Sequence, residues 1–263
     1  RIEKIEKKLK KNLHLHYGDV TDPLNVVDII QRVKPKEIYN LAAQSHVGVS
    51  FQKPTYTTAS IVNGSLNILE AIRLLKMSKK TKYYQASSSE MCGNNSEKIL
   101  NEKSFFDAQS VYGISKIYGY YLTRLYRSAY KIFASNGILF NHESPWRSEN
   151  FVTKKIVTGL VDIKFGNSRK LKLGNIYSKR DWGHAKDYVE GMWKILQFKK
   201  PDDFVLATNK SISVKDFINL ILKKLKMKGS WKGKGLKEVF VFQKKIIIEI
   251  DKKYFRPAEV NFL

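Results

Sequence analysis

The apolar positions of this chain change their period repeatedly, and each change predicts an element. Residues 12–20 (NLHLHYGDV) alternate apolar and polar, the two-residue period of a strand, and end in Gly18–Asp19. Asp22 followed by Pro23 is a helix start, with Leu24, Val27, Ile30 and Val33 as its apolar stripe and Pro35 as its stop. Residues 37–43 (EIYNLAA) predict a short strand, residues 57–76 a long helix carrying Ile61, Leu66, Leu69, Ile72 and Leu75, and residues 82–87 a buried strand. A helix over 111–131 and a strand over 133–141 follow. Before all of these, residues 1–11 place Ile2, Ile5 and Leu9 on one helical stripe. Strand and helix alternating at this spacing predict an α/β fold, a parallel sheet with helices on both faces.

After residue 141 the rhythm changes. Residues 147–181 are rich in Gly, Asn and basic residues and hold one helix. A helix over 184–197, a strand over 204–208, a helix over 213–226 and a strand pair around 238–251 complete the chain. Two domains are expected, 1–141 and 142–263, with the chain partly returning to the first within 181–212. Ligands of open parallel sheets bind beyond the carboxyl ends of the strands. Asp19, Ala42 to Ser45, Ser87 to Glu90 and Asn141 to Glu143 fall at such ends.

Composition narrows the setting. The 263 residues, 43% hydrophobic and 12% aromatic, suffice for a sizeable core and argue against disorder. One cysteine, Cys92, excludes a disulfide framework, and no apolar run reaches the ~18 residues of a membrane span. A cytoplasmic protein is expected. Lys and Arg total 48 against 24 Asp and Glu, a net charge of +24, which raises nucleic acid as a partner. The lysines are scattered over predicted solvated faces, and no nucleic-acid motif accompanies them. The reading adopted is a lysine-biased surface, without nucleic acid or membrane.

The candidate chemistry lies between residues 83 and 116. The strand YYQASSSE brings Ser87, Ser88, Ser89 and Glu90 to its carboxyl end, and Tyr112 and Lys116 follow at a helix start. Residues four apart share a helix face, so phenol and ammonium can share a pocket. A lone Tyr-x-x-x-Lys arises by chance in a chain this rich in both residues, and a surface tyrosine beside a solvated lysine is the plain alternative. Its position one strand after a Ser/Ser/Ser/Glu strand end favours chemistry. A lysine charge favours tyrosinate and makes Tyr112 a usable base, while Ser88 can bond the same substrate oxygen. Glu90 is a second acid–base group, more than simple alcohol oxidation requires. No metal site is expected.

Nine stretches carry a family resemblance: LHYGDVTD (15–22), EIYNLAAQSHV (37–47), YQASSSE (84–90), VYGISK (111–116), NGILFNHESP (136–145), NFVTKKI (150–156), LGN (173–175), KRDWGHAKDYVEGMW (179–193) and YFRPAEV (254–260). In these the chain resembles the extended short-chain dehydrogenase/reductases, and within them the GDP-mannose 4,6-dehydratases. The resemblance implies a Rossmann-type NADP-binding domain, a smaller α/β substrate-binding domain, NADP as a recycled cofactor and GDP-mannose as substrate. It implies that Tyr112 takes the proton of the hexose 4-hydroxyl as hydride leaves C4. Glu90 then removes the C5 proton and helps expel the C6 hydroxyl as water, and hydride returns to C6. The product would be GDP-4-keto-6-deoxy-mannose, on the route to GDP-fucose and related deoxyhexoses.

Carried over position by position, the catalytic residues are Ser88, Glu90, Tyr112 and Lys116. Cofactor contacts fall on Asp19, Val20, Leu41, Ala42, Ala43, Gln44, Ser45, Tyr56, Tyr112, Lys116, His142 and Arg147. Substrate contacts fall on Asn141, Lys155, Arg180, Arg256 and Glu259. A homo-oligomer, dimer or tetramer, is implied. The family's first strand and its Gly-x-x-Gly-x-x-Gly turn, whose amides hold the pyrophosphate, have no counterpart in this sequence and are expected upstream of residue 1. The family's last helices, which follow RPAEV there, also have no counterpart in this sequence. Ser88 stands where the family has threonine, and Trp146–Arg147 replaces a paired arginine. The alternative is an inactive relic of the family, or a basic binding protein.

Overall fold

A computed structural model describes residues 9, 11–97 and 99–263. In chain order the elements are α1 (Pro23–Val33), β1 (Glu37–Asn40), α2 (Val47–Gln52), α3 (Pro54–Thr58), α4 (Gly64–Leu74), β2 (Lys82–Ser88), α5 (Val111–Ala129) and β3 (Phe133–Leu139). Then come β4 (Asn141–Glu143), α6 (Val152–Lys164), β5 (Leu171–Leu173), β6 (Lys179–His184), α7 (Ala185–Gln197) and β7 (Asp203–Leu206). β8 (Ser211–Ser213), α8 (Val214–Lys224), β9 (Gly229–Lys232), β10 (Val239–Phe242) and β11 (Lys245–Ile250) end the chain. They form two compact units, one of residues up to Leu139 with Lys186–Leu206, the other of Phe140–Ala185 with Ala207–Leu263.

The first unit is a four-stranded parallel sheet in the order β1-β2-β3-β7 with helices on both faces. On one face Val26, Ile30, Ile68, Leu69 and Ile72 pack against Tyr83, Ile132 and Ala134. On the other, Tyr188, Met192, Ile195 and Leu196 cover Tyr84, Ala86 and Leu139. Both faces of β2 are therefore buried, which is why its sequence is a continuous run rather than an alternation.

Asp22 caps α1 as its sequence requires, accepting from the amides of Leu24 at 3.0 Å and Asn25 at 3.2 Å, with Pro23 in the first turn. The buried stripe differs from the expected one. Val26 and Ile30 face the core, whereas Leu24 and Val33 are 79% and 47% exposed, because packing on α4 selects the i, i+4 pair. The expected strand over 12–20 is also corrected. The segment is irregular, Leu15 and Tyr17 are exposed, and among the described residues no strand pairs with it. Alternation is only a propensity; a strand exists through its ladder. The helical stripe expected over 1–11 lies outside the described residues, apart from the single helical position Leu9.

The long helix expected over 57–76 is broken by a π-helical turn at Ala59–Asn63. That turn widens the helix where Ser60 donates to the Thr57 carbonyl at 3.1 Å and accepts from the Gln44 amide at 3.2 Å. The helix thus holds the loop beyond β1.

In the second unit β4 runs parallel to β6, which pairs antiparallel with β8. A second sheet has the order β5-β11-β10-β9, and its core joins Ile156, Leu160, Leu171, Ile218, Leu222, Phe240 and Ile248. Ser213 and Asp216 close a reciprocal cap on α8. The hairpin of β10 and β11 matches the expected strand pair; β9 was not expected.

Candidate active site

Strand β2 and helix α5 build the candidate centre within the first unit. Ser88 ends β2, and its hydroxyl accepts from the Glu90 amide at 3.2 Å. That bond turns the chain into a single 3-10 turn, Ser89–Met91, which holds Glu90 at 7% exposure. Ser110 caps α5 by accepting from the Gly113 amide at 3.0 Å. Gly113 lets this first turn press on the strand end: a Cβ there would lie 2.7 Å from the Glu90 carbonyl oxygen and 2.9 Å from Ala108 Cβ.

One turn further on, Lys116 is 3% exposed. Its ammonium donates to the Ala86 carbonyl at 2.6 Å and lies 5.7 Å from the centre of the Tyr112 ring. Burial pushes the Lys116 pKa down to about 8. Ser88, Glu90, Tyr112 and Lys116 are thus gathered at one strand end: a hydroxyl, a carboxylate, a phenol and a weakly acidic ammonium. Such a set can move protons to and from a substrate hydroxyl and an adjacent carbon acid.

A buried polar layer lies behind it. Asn40 donates to the Tyr83 hydroxyl at 3.0 Å and to Gln85 Oε1 at 3.0 Å, and Ser65 donates to the same Gln85 oxygen at 3.2 Å. Tyr83 also bonds Gln85, and Asn40 Oδ1 accepts from the Ala42 amide at 3.2 Å. This network fixes the carboxyl end of β1 to the first half of β2. Sequence reading missed it, although polar Asn40 and Gln85 within apolar strands were a visible signal. Buried polar groups need partners.

The remaining expected cofactor positions of this unit lie in the segment before α1, in the loop after β1 and in α3. Asp19 is exposed, and bonds from the Thr21 amide and hydroxyl, both at 2.8 Å, lower its pKa. Val20 is held through its carbonyl by Asn67 at 2.9 Å. Leu41 is 56% exposed, Ala42 and Ala43 are half-buried, and Ser45 is exposed. Gln44 is fixed by Ser60 and by Thr57, whose hydroxyl donates to its Oε1 at 3.0 Å. Tyr56 is 63% exposed.

The second unit holds the remaining expected residues. His142 donates from Nδ1 to the Phe140 carbonyl at 2.9 Å, and burial lowers its pKa. Arg147 pairs with Glu143 at 3.2 Å and stacks 3.5 Å from the Phe151 ring centre. Asn141 has a buried amide nitrogen with no hydrogen-bond partner among the described residues. Lys155 sits 3.5 Å from the Tyr254 ring centre, its pKa lowered by burial. Arg180 is 7% exposed and donates to the carbonyls of Lys179 and Val260, both at 2.8 Å, so it ties β6 to the chain end. Glu259 accepts from the Arg256 amide at 2.8 Å. Asp181, not singled out from the sequence, is buried and accepts from the amide of Thr208 at 2.9 Å and its hydroxyl at 2.8 Å. Among the described residues no group of three or more His, Cys, Asp or Glu is placed to hold a metal ion. None of their helices is long and apolar enough to cross a membrane.

Solved structures share this fold. They include a protein called RMD from Pseudomonas aeruginosa in complex with NADPH, with a TM-score of 0.77 and 19% identity over 95% of this chain and 83% of that one. Another is a dTDP-glucose 4,6-dehydratase from Bacillus anthracis in complex with NAD, at 0.75 and 18% over 97% of this chain and 72% of that one. Curated relatives are far closer in sequence. A GDP-mannose 4,6 dehydratase of Drosophila melanogaster is 49% identical over 95% of this chain and 64% of its own length. One of Dictyostelium discoideum is 48% identical over 97% of this chain and 72% of its own. The chain therefore spans about two thirds of the length of these relatives. The family model described as GDP-mannose 4,6 dehydratase matches residues 1–263. By its sequence, matched over residues 1–263, the chain belongs to the GDP-mannose 4,6 dehydratase family.

Proposed function

We propose that this chain carries the reaction centre of a nucleotide-sugar dehydratase that acts on GDP-mannose, loses water from C5 and C6, and works with NADP. The observation that carries this reading is the pairing of Glu90 with Tyr112 and Lys116 at one strand end, in a family whose curated members bear the dehydratase name. An alcohol oxidation alone has no use for the carboxylate.

The residues suit a nicotinamide dinucleotide. The Lys116 ammonium is buried with the Ala86 carbonyl as one acceptor, and an ammonium has three hydrogens to satisfy. The hydroxyl pair of a ribose supplies acceptors of the right kind. Asp19 can accept from the adenosine portion, and the loop of Leu41 to Ser45 can flank the ribose and pyrophosphate. NADP, when bound, supplies the two-electron acceptor that holds hydride between its departure from C4 and its return to C6.

The side chains do the rest. Tyr112 takes the proton from the hexose 4-hydroxyl, with Ser88 bonding the same oxygen. The ketone formed at C4 makes the C5 hydrogen acidic. Glu90 removes that proton and delivers one to the C6 hydroxyl, which leaves as water. A proton returns to C5 as C6 is reduced, so the substrate undergoes no net redox change. In the second unit we assign recognition of the GDP portion to Asn141, Lys155, Arg180, Arg256 and Glu259, with His142 and Arg147 serving the cofactor. Guanidinium groups match diphosphate oxygens in charge and geometry.

The test is incubation of GDP-mannose with the chain and NADP, read by mass spectrometry for loss of one water. Wild type should form the dehydrated product, and Glu90→Gln should lower the rate by about 10²–10⁴ while still binding NADP. A Glu90→Gln variant as fast as wild type would refute the assignment.

A further inference from the structure

The end of the first unit's sheet opposite Ser88 and Glu90 carries a second feature. A cleft of about 860 Å³ opens at the amino ends of β1, β2 and β3, between the carboxyl ends of α1 and α4. Six lysines line it: Lys34, Lys36, Lys76, Lys79, Lys80 and Lys82. Its one lining carboxylate, Glu37, already accepts from Tyr39 at 2.7 Å and from Gln197 at 2.8 Å. Lys82 is likewise engaged, donating to the Leu196 carbonyl at 2.5 Å beside the Phe133 ring.

The other five lysines form no ion pair among the described residues. Two helix carboxyl ends contribute roughly half a negative charge each. That offsets about half of the charge of Lys34 and Lys76, which lie at or just beyond these ends in left-handed conformations with φ of 48° and 55°. It leaves Lys36, Lys79 and Lys80 uncompensated. The loops that carry them are pinned together. The Lys82 amide donates to the Lys36 carbonyl at 2.8 Å, and the Thr81 hydroxyl donates to the Pro35 carbonyl at 2.7 Å. The two loops that carry the cations are therefore tied to each other by hydrogen bonds. Leu75 and Phe133 add apolar wall.

We propose that this cleft binds a ligand bearing a chain of two or more phosphates, held by Lys36, Lys79 and Lys80, at a site separate from the reaction centre. Converging point charges in a cleft suit a compact oligophosphate. Nucleic acid would call for a cationic track with aromatic stacking platforms, and the lining offers Phe133 as its one aromatic ring.

Calorimetric titration of the full chain with inorganic tripolyphosphate and, separately, with ATP tests this at 150 mM salt. Competitive binding of both would place the phosphate chain at the centre of recognition, and binding of ATP alone would make the ligand a nucleotide; either supports the site. Lys79→Gln/Lys80→Gln should weaken binding about tenfold and leave NADP affinity unchanged. Lys223→Gln/Lys224→Gln removes equal charge from the end of α8 in the other unit and should change nothing. Equal weakening by both double variants, binding that persists unchanged in Lys79→Gln/Lys80→Gln, no binding at all, or tighter binding of a single-stranded RNA of equal charge would overturn the proposal.

Discussion

Burying the Lys116 ammonium costs free energy that the neutral amine would not incur, and this makes the residue visible to a stability measurement. Its pKa falls from 10.5 to about 8 on folding, so between those values the unfolded chain binds more protons than the folded one. Stability therefore rises as pH increases from about 8 to 10.5, and the penalty is present in full below pH 8. A shift of this size corresponds to a few kcal/mol. Denaturant unfolding of wild type and Lys116→Met across this range should show the gain in wild type alone. Parallel curves would mean that the ammonium is not buried as described.

At the scale of elements, the centre depends on how closely α5 meets the end of β2. Alanine normally gains about 1 kcal/mol over glycine inside a helix. At Gly113 a Cβ would meet the Glu90 carbonyl at 2.7 Å, and backbone cannot yield as a side-chain tip can. Overpacking of this kind costs about 1–3 kcal/mol, so the clash prevails over propensity. Gly113→Ala should be destabilised in thermal unfolding and lose turnover beyond its loss of stability; a stabilised variant would contradict the close approach. The α5 helix was legible because its apolar period and the Tyr112–Lys116 spacing agree. The strand over 12–20 was misread because its alternation says nothing about whether a partner strand lies alongside. The π-helical turn at Ala59–Asn63 was invisible, since one extra residue in a turn leaves the apolar period nearly intact. The network of Asn40, Ser65, Tyr83 and Gln85 joins residues up to 45 positions apart, a proximity that only the folded sheet creates.

At the scale of the molecule, the first unit is organised with opposite chemistry at its two ends. The carboxyl ends of the strands gather Ser88, Glu90, Tyr112 and Lys116, while the amino ends gather lysines without carboxylate partners. Part of the +24 net charge is thereby concentrated in one place, whereas the sequence suggested an even scatter. Parallel topology explains this, because every crossover helix ends where the next strand begins, so lysines distant in sequence at helix ends become neighbours. The proposed division of labour between Tyr112 and Glu90 can be read from the reaction run in deuterium oxide. If Glu90 handles the C5 proton, the dehydrated product of GDP-mannose should carry one solvent deuterium at C5, and Glu90→Gln should yield almost none of that product. Product without deuterium at C5, or labelled product from Glu90→Gln at the wild-type rate, would contradict the account.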